Sequence, residues 1–253
     1  MRQAESGGAH VRTAVRGDTV VTDRLAQTVR EQLRLGRLLP LGTREDGSWI
    51  TERAASDVLG RAAAEVPGAH LGALRIGPAG PGTAGTPTVP PPPSALPPGP
   101  LRIAAECGAT LEEPLPVTAD RLRDALLDAA TDRLGLLVEA VDIRVTEVLA
   151  ELPAPPPETP RPHRIERPES DPATAAVARA AASVPGVARL APVLGSPRAV
   201  RIEGAHIRIE LAVAADHRAV DVARTVRTAV AAAAPGPGDQ PPTVAVLVTA
   251  VEP

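Results

Sequence analysis

The chain has 253 residues, a formal net charge of −3 and a single cysteine. That length holds one large domain or two small ones, the mildly acidic balance gives no pull toward nucleic acid or anionic lipid, and Cys107 alone cannot form an intramolecular disulfide. Phe, Tyr, Lys and Asn are absent and Trp49 is the one aromatic residue, which excludes Schiff-base chemistry, a lysine-held phosphate and base stacking, and which reads as the codon bias of a GC-rich bacterial genome.

In chain order, VRTAV at 11–15 alternates as a short strand would. Asp23 to Leu39 places Leu25, Val29 and Leu33 on one line, with Arg24, Arg30, Arg34 and Arg37 largely off it, which predicts an amphipathic helix stopped near Gly36 and Pro40. Its arginines lack aromatic anchors, so it suits docking on protein better than lipid. A short strand SWI then leads to Thr51 as N-cap of a helix whose face carries Ala55, Leu59, Ala62 and Val66, and LGALRIG follows as a strand. Residues 78–100 are rich in proline and too poor in bulky apolar side chains to build a core, so they read as a projecting excursion. Beyond them come the strand LRIAAEC, a helix from about Thr118 to Leu134 carrying Leu122, Ala125, Leu126 and Ala129, and the strand VDIRVTEV at 141–148.

A second proline tract at 152–172 separates this from a similar series. Thr174 to Val184 is a predicted helix with Thr174 as N-cap, VARLAPVL a strand, and AVRIEG with HIRIELAV a hairpin across Glu203 and Gly204. A helix from about Arg218 to Ala233 carries Val222, Val226 and Val230, and VAVLVTAV at 244–251 closes the chain.

The two series are a repeat. RAAAEVPGAHL at 61–71 returns as RAAASVPGVARL at 179–190, and VDIRVTEV returns as VAVLVTAV with Val141, Val145, Thr146 and Val148 matched by Val244, Val248, Thr249 and Val251. Lengthening one loop from about 5 to about 23 residues costs only about 1.4 kcal/mol of closure entropy, so the 78–100 excursion is compatible with one shared topology. The second copy has no clear strand before its helix: HRIERPESDP is broken by prolines and charge, leaving a sheet edge to be filled by VRTAV or by a partner.

ITERAASDVLGRAAAEVPGA at 50–69, with the two valine-alternating closing strands, resembles the alkaline shock (Asp/Gls-type) envelope stress response family. The resemblance covers about 47–150 and 172–252 and departs where the family's closing-strand asparagine is Asp142 in one copy and Ala245 in the other. It implies a diverged tandem paralogue in a family of non-enzymatic cytoplasmic proteins that assemble beneath the membrane, often through a membrane-anchored partner, and support the envelope under stress.

Chemistry-bearing residues point the same way. Cys107 sits in an apolar strand without a paired histidine, and His10, His70, His163, His206 and His217 are scattered without zinc-ligand spacing. Glu112 with Glu113 and Asp120 with Asp124 read as solvated charges, and Arg16-Gly17-Asp18 as a turn.

The sequence therefore predicts an α+β fold of two tandem small βαββαβ-like units, the second degenerate, with helices on one face of a sheet and an N-terminal helix. The expected boundaries are a 1–46 N-terminal segment, unit 1 at 47–151, a linker at 152–172 and unit 2 at 173–253. The expected function is a non-catalytic cytoplasmic scaffold without cofactor or metal, joining homologous paralogues and a membrane-anchored partner; the opposing class is an intracellular ligand-sensing or enzymatic α+β domain. The candidate interaction residues are Leu25, Val29, Leu33, Arg30 and Arg34 on the first helix and Val244, Val246 and Val248 on the last strand.

Overall fold

The computed structural model describes residues 36–82, 84–154, 171–193, 198–234 and 241–253. The expected helix 23–39 lies mostly outside them, with Leu25, Val29, Arg30, Leu33 and Arg34, and so does VRTAV. Its last residues are not helical. Gly36 turns the chain at φ +68° and Leu38–Pro40 form strand β1.

Strand β2 (Ser48–Thr51) runs straight into helix α1 (Glu52–Ala64), capped as expected by the Thr51 hydroxyl, which accepts from Ala54 N at 3.2 Å. Strand β3 (Ala69–Pro78) pairs antiparallel with β4 (Leu101–Thr110). Helix α2 (Leu115–Asp128) ends in a π-helical turn over Ala129–Leu134, closed by Gly135 at φ +88°, and crosses to β5 (Val138–Leu149), parallel to β4. The second series runs α3 (Pro172–Ala182), β6 (Val187–Leu190), β7 (Val200–Glu203), β8 (His206–Ala214), α4 (Ala219–Ala233) and β9 (Thr243–Glu252). Asp171, not Thr174, caps α3: its carboxylate accepts both the Thr174 N–H and hydroxyl at 2.8 Å, and Pro172 takes the first helical position.

The repeat is visible bond by bond. Both Val-Pro-Gly segments stop a helix and turn it into a strand, with Gly68 at φ +74° and Gly186 at φ +89°, conformations that favour glycine. The two glycine carbonyls accept from Thr110 N and Ala214 N, each at 2.9 Å. Each closing strand bulges at the threonine of its Val-Thr pair. Thr146 donates its hydroxyl to Cys107 O at 3.4 Å, and Thr249 to Leu211 O at 3.1 Å and Ala191 O at 3.3 Å.

The fold is α+β, with two sheets and helices packed on one face of each. One sheet has the order β3-β4-β5; the other is six-stranded, β1-β2-β9-β8-β6, with β7 beside the first half of β8. Here the chain departs from two separate units. Strand β2, expected to open the first copy, lies in the sheet of the second, parallel to β9 with Trp49 beside Leu247. Helix α1 packs on both β3 and β9, and the helices and inner faces of both sheets share one core of Ala, Val, Leu and Ile.

The proline-rich 78–100 segment does not project either. It runs back over the outer face of the six-stranded sheet and along the edge of β1: Thr88 N donates to Arg44 O at 3.3 Å, and Leu96 N to Leu38 O at 2.8 Å, beside an isolated bridge between Leu38 and Ala95. Val89 completes a small second core with Leu38, Trp49, Ala245 and Leu247. The segment is held by one buried valine, backbone bonds and the large indole beneath it, which supplies the apolar area its own composition lacks.

Candidate interaction surface

The closing strands β5 and β9 occupy the same place in their copies, and their free sides differ. On β9 the expected open edge is filled. Val244, Val246 and Val248 point into the core, each at most 3% exposed, and β9 lies between β8 and β2. These three valines are therefore core residues and not a docking edge, a correction with a simple cause: the missing strand of copy two is supplied by the Ser48–Thr51 segment of this chain. Val246 N donates to Gly47 O at 3.1 Å across the new edge.

A polar clamp fixes that arrangement. Asp46, 8% exposed, accepts from Thr43 N at 2.7 Å, the Thr43 hydroxyl at 3.0 Å, Arg224 Nε at 2.7 Å and Arg224 Nη2 at 3.0 Å. Burial pushes the Asp46 carboxyl up, but the hydrogen bonds from Arg224 and Thr43 outweigh it and hold its pKa below the ordinary carboxylate value. One turn along α4, Arg227 donates to Val244 O at 3.0 Å and to Glu45 O at 2.9 Å, tying β9 to the loop before β2.

On β5 nothing comparable is added: β5 ends its sheet, with β4 on one side and no strand on the other among the described residues. The counterpart of Arg227 is Arg123, which donates to Val141 O at 3.2 Å but turns its other end to Asp120 on its own helix. Val148 on this strand is exposed, as are Leu137 just before it and Leu152 just after it. Sequence reading put the open edge on the second copy because a strand's partner across the chain leaves no local signal; VDIRVTEV did read as a strand.

The other edges are guarded. β1 is three residues long and ends in Pro40, β3 carries Gly72, Gly77 and Pro78, and the outer side of β8 is split between two short strands.

Cys107 is buried in β4 and burial raises its thiol pKa. His206 bonds the Thr243 hydroxyl at 2.9 Å, with burial first and Arg208 second lowering its pKa, and His217 bonds Asp216 at 2.8 Å. Among the described residues no group of three His, Cys, Asp or Glu side chains could hold a metal, and no helix is long and apolar enough to cross a membrane. A shallow depression of about 290 Å³ lies beside Pro100, Gly135 and Val138, and its one cation, Arg218, is already bonded to Thr131 O at 3.0 Å.

No protein-family model and no curated protein matches the chain. Among solved structures, a variant of the MamM CTD, a zinc form and a nickel form of MamM CTD variants are similar to part of it. Each has 16% identity and a TM-score of 0.25 over 38% of this chain, and covers 93%, 84% and 96% of its own chain respectively. At that level they carry no argument about this protein.

Proposed function

We propose that the protein is a non-catalytic assembly protein that works by protein–protein association, as its resemblance to the alkaline shock family implies. The reading places it in the cytoplasm near the membrane, joined to homologous paralogues and a membrane-anchored partner. The observation that carries it is the free side of β5. It is a twelve-residue strand with exposed apolar neighbours, in a molecule whose other sheet edges are paired, short or guarded. Strand addition at such an edge supplies affinity through the main chain and specificity through alternate side chains.

The opposing reading, a ligand-sensing or enzymatic domain, requires convergent polar groups in a pocket. Two measurements separate them: sedimentation analysis and in-cell cross-linking of the full chain, and a thermal-shift screen of the purified protein against metabolites. Assembly predicts stoichiometric complexes and no small-molecule shift. A protein that is monomeric and partnerless in cells, and whose Tm rises by several degrees with one metabolite, would overturn the assembly reading.

A further inference from the structure

Among the described residues no strand lies on the far side of β5, and that side is self-complementary. Val141 O, bonded by Arg123, faces away from β4, and the matching residue of β9 behaves alike: Val244 O takes Arg227, and two residues on, Val246 N–H points at β2. Main-chain N–H and C=O groups alternate sides along a strand. Val141, Ile143 and Val145 therefore present theirs to the open edge.

The side chains around Ile143 are arranged symmetrically. Toward the helices lie Val138, Val141, Ile143, Val145 and Val148, spaced evenly about Ile143 because the strand bulges once on each side, at Glu139 and at Thr146. On the opposite face the two residues flanking Ile143 are Asp142 and Arg144, both exposed.

We propose that β5 pairs antiparallel with β5 of a second copy of this chain, with Ile143 on the two-fold axis, joining the two three-stranded sheets into one of six strands. This rests on the assembly reading and names its first partner. In that register Ile143 faces Ile143, Val141 faces Val145 and Val138 faces Val148, and the outward main-chain groups of 141, 143 and 145 form about six hydrogen bonds between copies, Val141 O accepting on the lone pair that Arg123 leaves. Asp142 of each copy then sits opposite Arg144 of the other, in the non-hydrogen-bonded pair where side chains approach most closely. A shift of the axis by one residue in either direction would set Asp142 on Asp142 or Arg144 on Arg144. Charge therefore selects the register, and the exposed Val148 gains cover on Val138 of the second copy.

Asp142 already bonds Arg102 at 2.8 Å within its own sheet. Its second oxygen is available to the other copy, as a carboxylate accepts more than one guanidinium.

The test is sedimentation equilibrium of the full chain and of two charge reversals, with circular dichroism to show that each folds. The wild type is expected to be dimeric, and Asp142→Arg and Arg144→Asp each to weaken the dimer at least about tenfold, because each places like charges opposite one another twice. Mixing the two variants restores Asp–Arg pairs at both positions in a heterodimer, so the mixture is expected to recover the wild-type mass. Arg144→Asp leaves the Arg102 pair untouched, so its result stands even where Asp142→Arg is poorly folded. A monomeric wild type, or a dimer indifferent to both reversals, overturns the β5 pairing. A monomer that still forms stoichiometric complexes in cells does so while leaving the assembly reading intact.

Discussion

Strands β5 and β9 close their copies with the same Val-Thr bulge and the same arginine reaching from the preceding helix to an edge carbonyl. They differ in what the chain lays alongside. β9 receives β2, β1 and the 78–100 segment, and becomes a central strand with its valines in the core. Among the described residues β5 receives no strand on its other side and remains an edge. The two copies carry equivalent edges, and the strand expected to open the first copy covers the edge of the second. The local chemistry of a strand does not decide whether its edge is covered; the destination of a neighbouring segment does.

The largest effect is expected from undoing the cover on β9. Trp49 is 1% exposed, between Val89 of the proline-rich segment and Leu247 of β9, and it is the largest side chain in the smaller core. Trp49→Ala is expected to cost about 3–5 kcal/mol, read as a lower urea midpoint by circular dichroism. A cost below about 1 kcal/mol would mean that β2 and the 78–100 segment contribute little to closing that edge.

Next is the clamp between Asp46 and Arg224. Asp46→Asn leaves a half-exposed Arg224 without its buried carboxylate and is expected to cost about 2 kcal/mol. The pH dependence has a definite sign. The folded-state pKa of Asp46 lies below its unfolded value, so the stabilisation is complete above the unfolded pKa, near 3.9, and is lost as pH falls through the folded value. Acid titration of the urea midpoint is expected to show a loss in the wild type that is smaller in Asp46→Asn; equal acid sensitivity in the two would contradict the clamp.

The smallest contrast is between the two bulge threonines. Thr249 donates at 3.1 and 3.3 Å in a central strand, and Thr146 at 3.4 Å in an edge strand. Thr249→Val is expected to cost about 1 kcal/mol and Thr146→Val about half as much. The reverse order, measured by thermal melting of both variants, would show that β5 is as firmly held as β9.

Much of this fold is legible in the sequence because it is written in local chemistry. Val-Pro-Gly forces a helix to stop and the chain to turn, and the Val-Thr strands recur with their threonines at the bulge, so the repeated turns and closing strands can be read residue by residue. Boundaries slip where caps compete: Asp171 with Pro172 displaces Thr174, and the Leu38–Leu39 end of an apparent helix pairs with Ile50 and Thr51 as a strand. What cannot be read is long-range. Nothing in GSWI says that its parallel partner is Leu247, nearly the whole chain away, and nothing in a run of prolines says that it will lie on a tryptophan. For the same reason Val244, Val246 and Val248 look like an edge and are core, while the open strand is the one that appears complete.

The most direct test of the contrast is amide hydrogen exchange, resolved by residue, on the dilute full-length protein. The amides of Val141, Ile143 and Val145 face the open side of β5, whereas the matching amide of Val246 is bonded across to Gly47. The three β5 amides are expected to exchange at least about 100-fold faster than Val246, and to gain protection as the concentration rises and copies pair. Equal protection of β5 and β9 in the dilute monomer would contradict the claim that this chain closes one of its two equivalent edges and leaves the other for a partner.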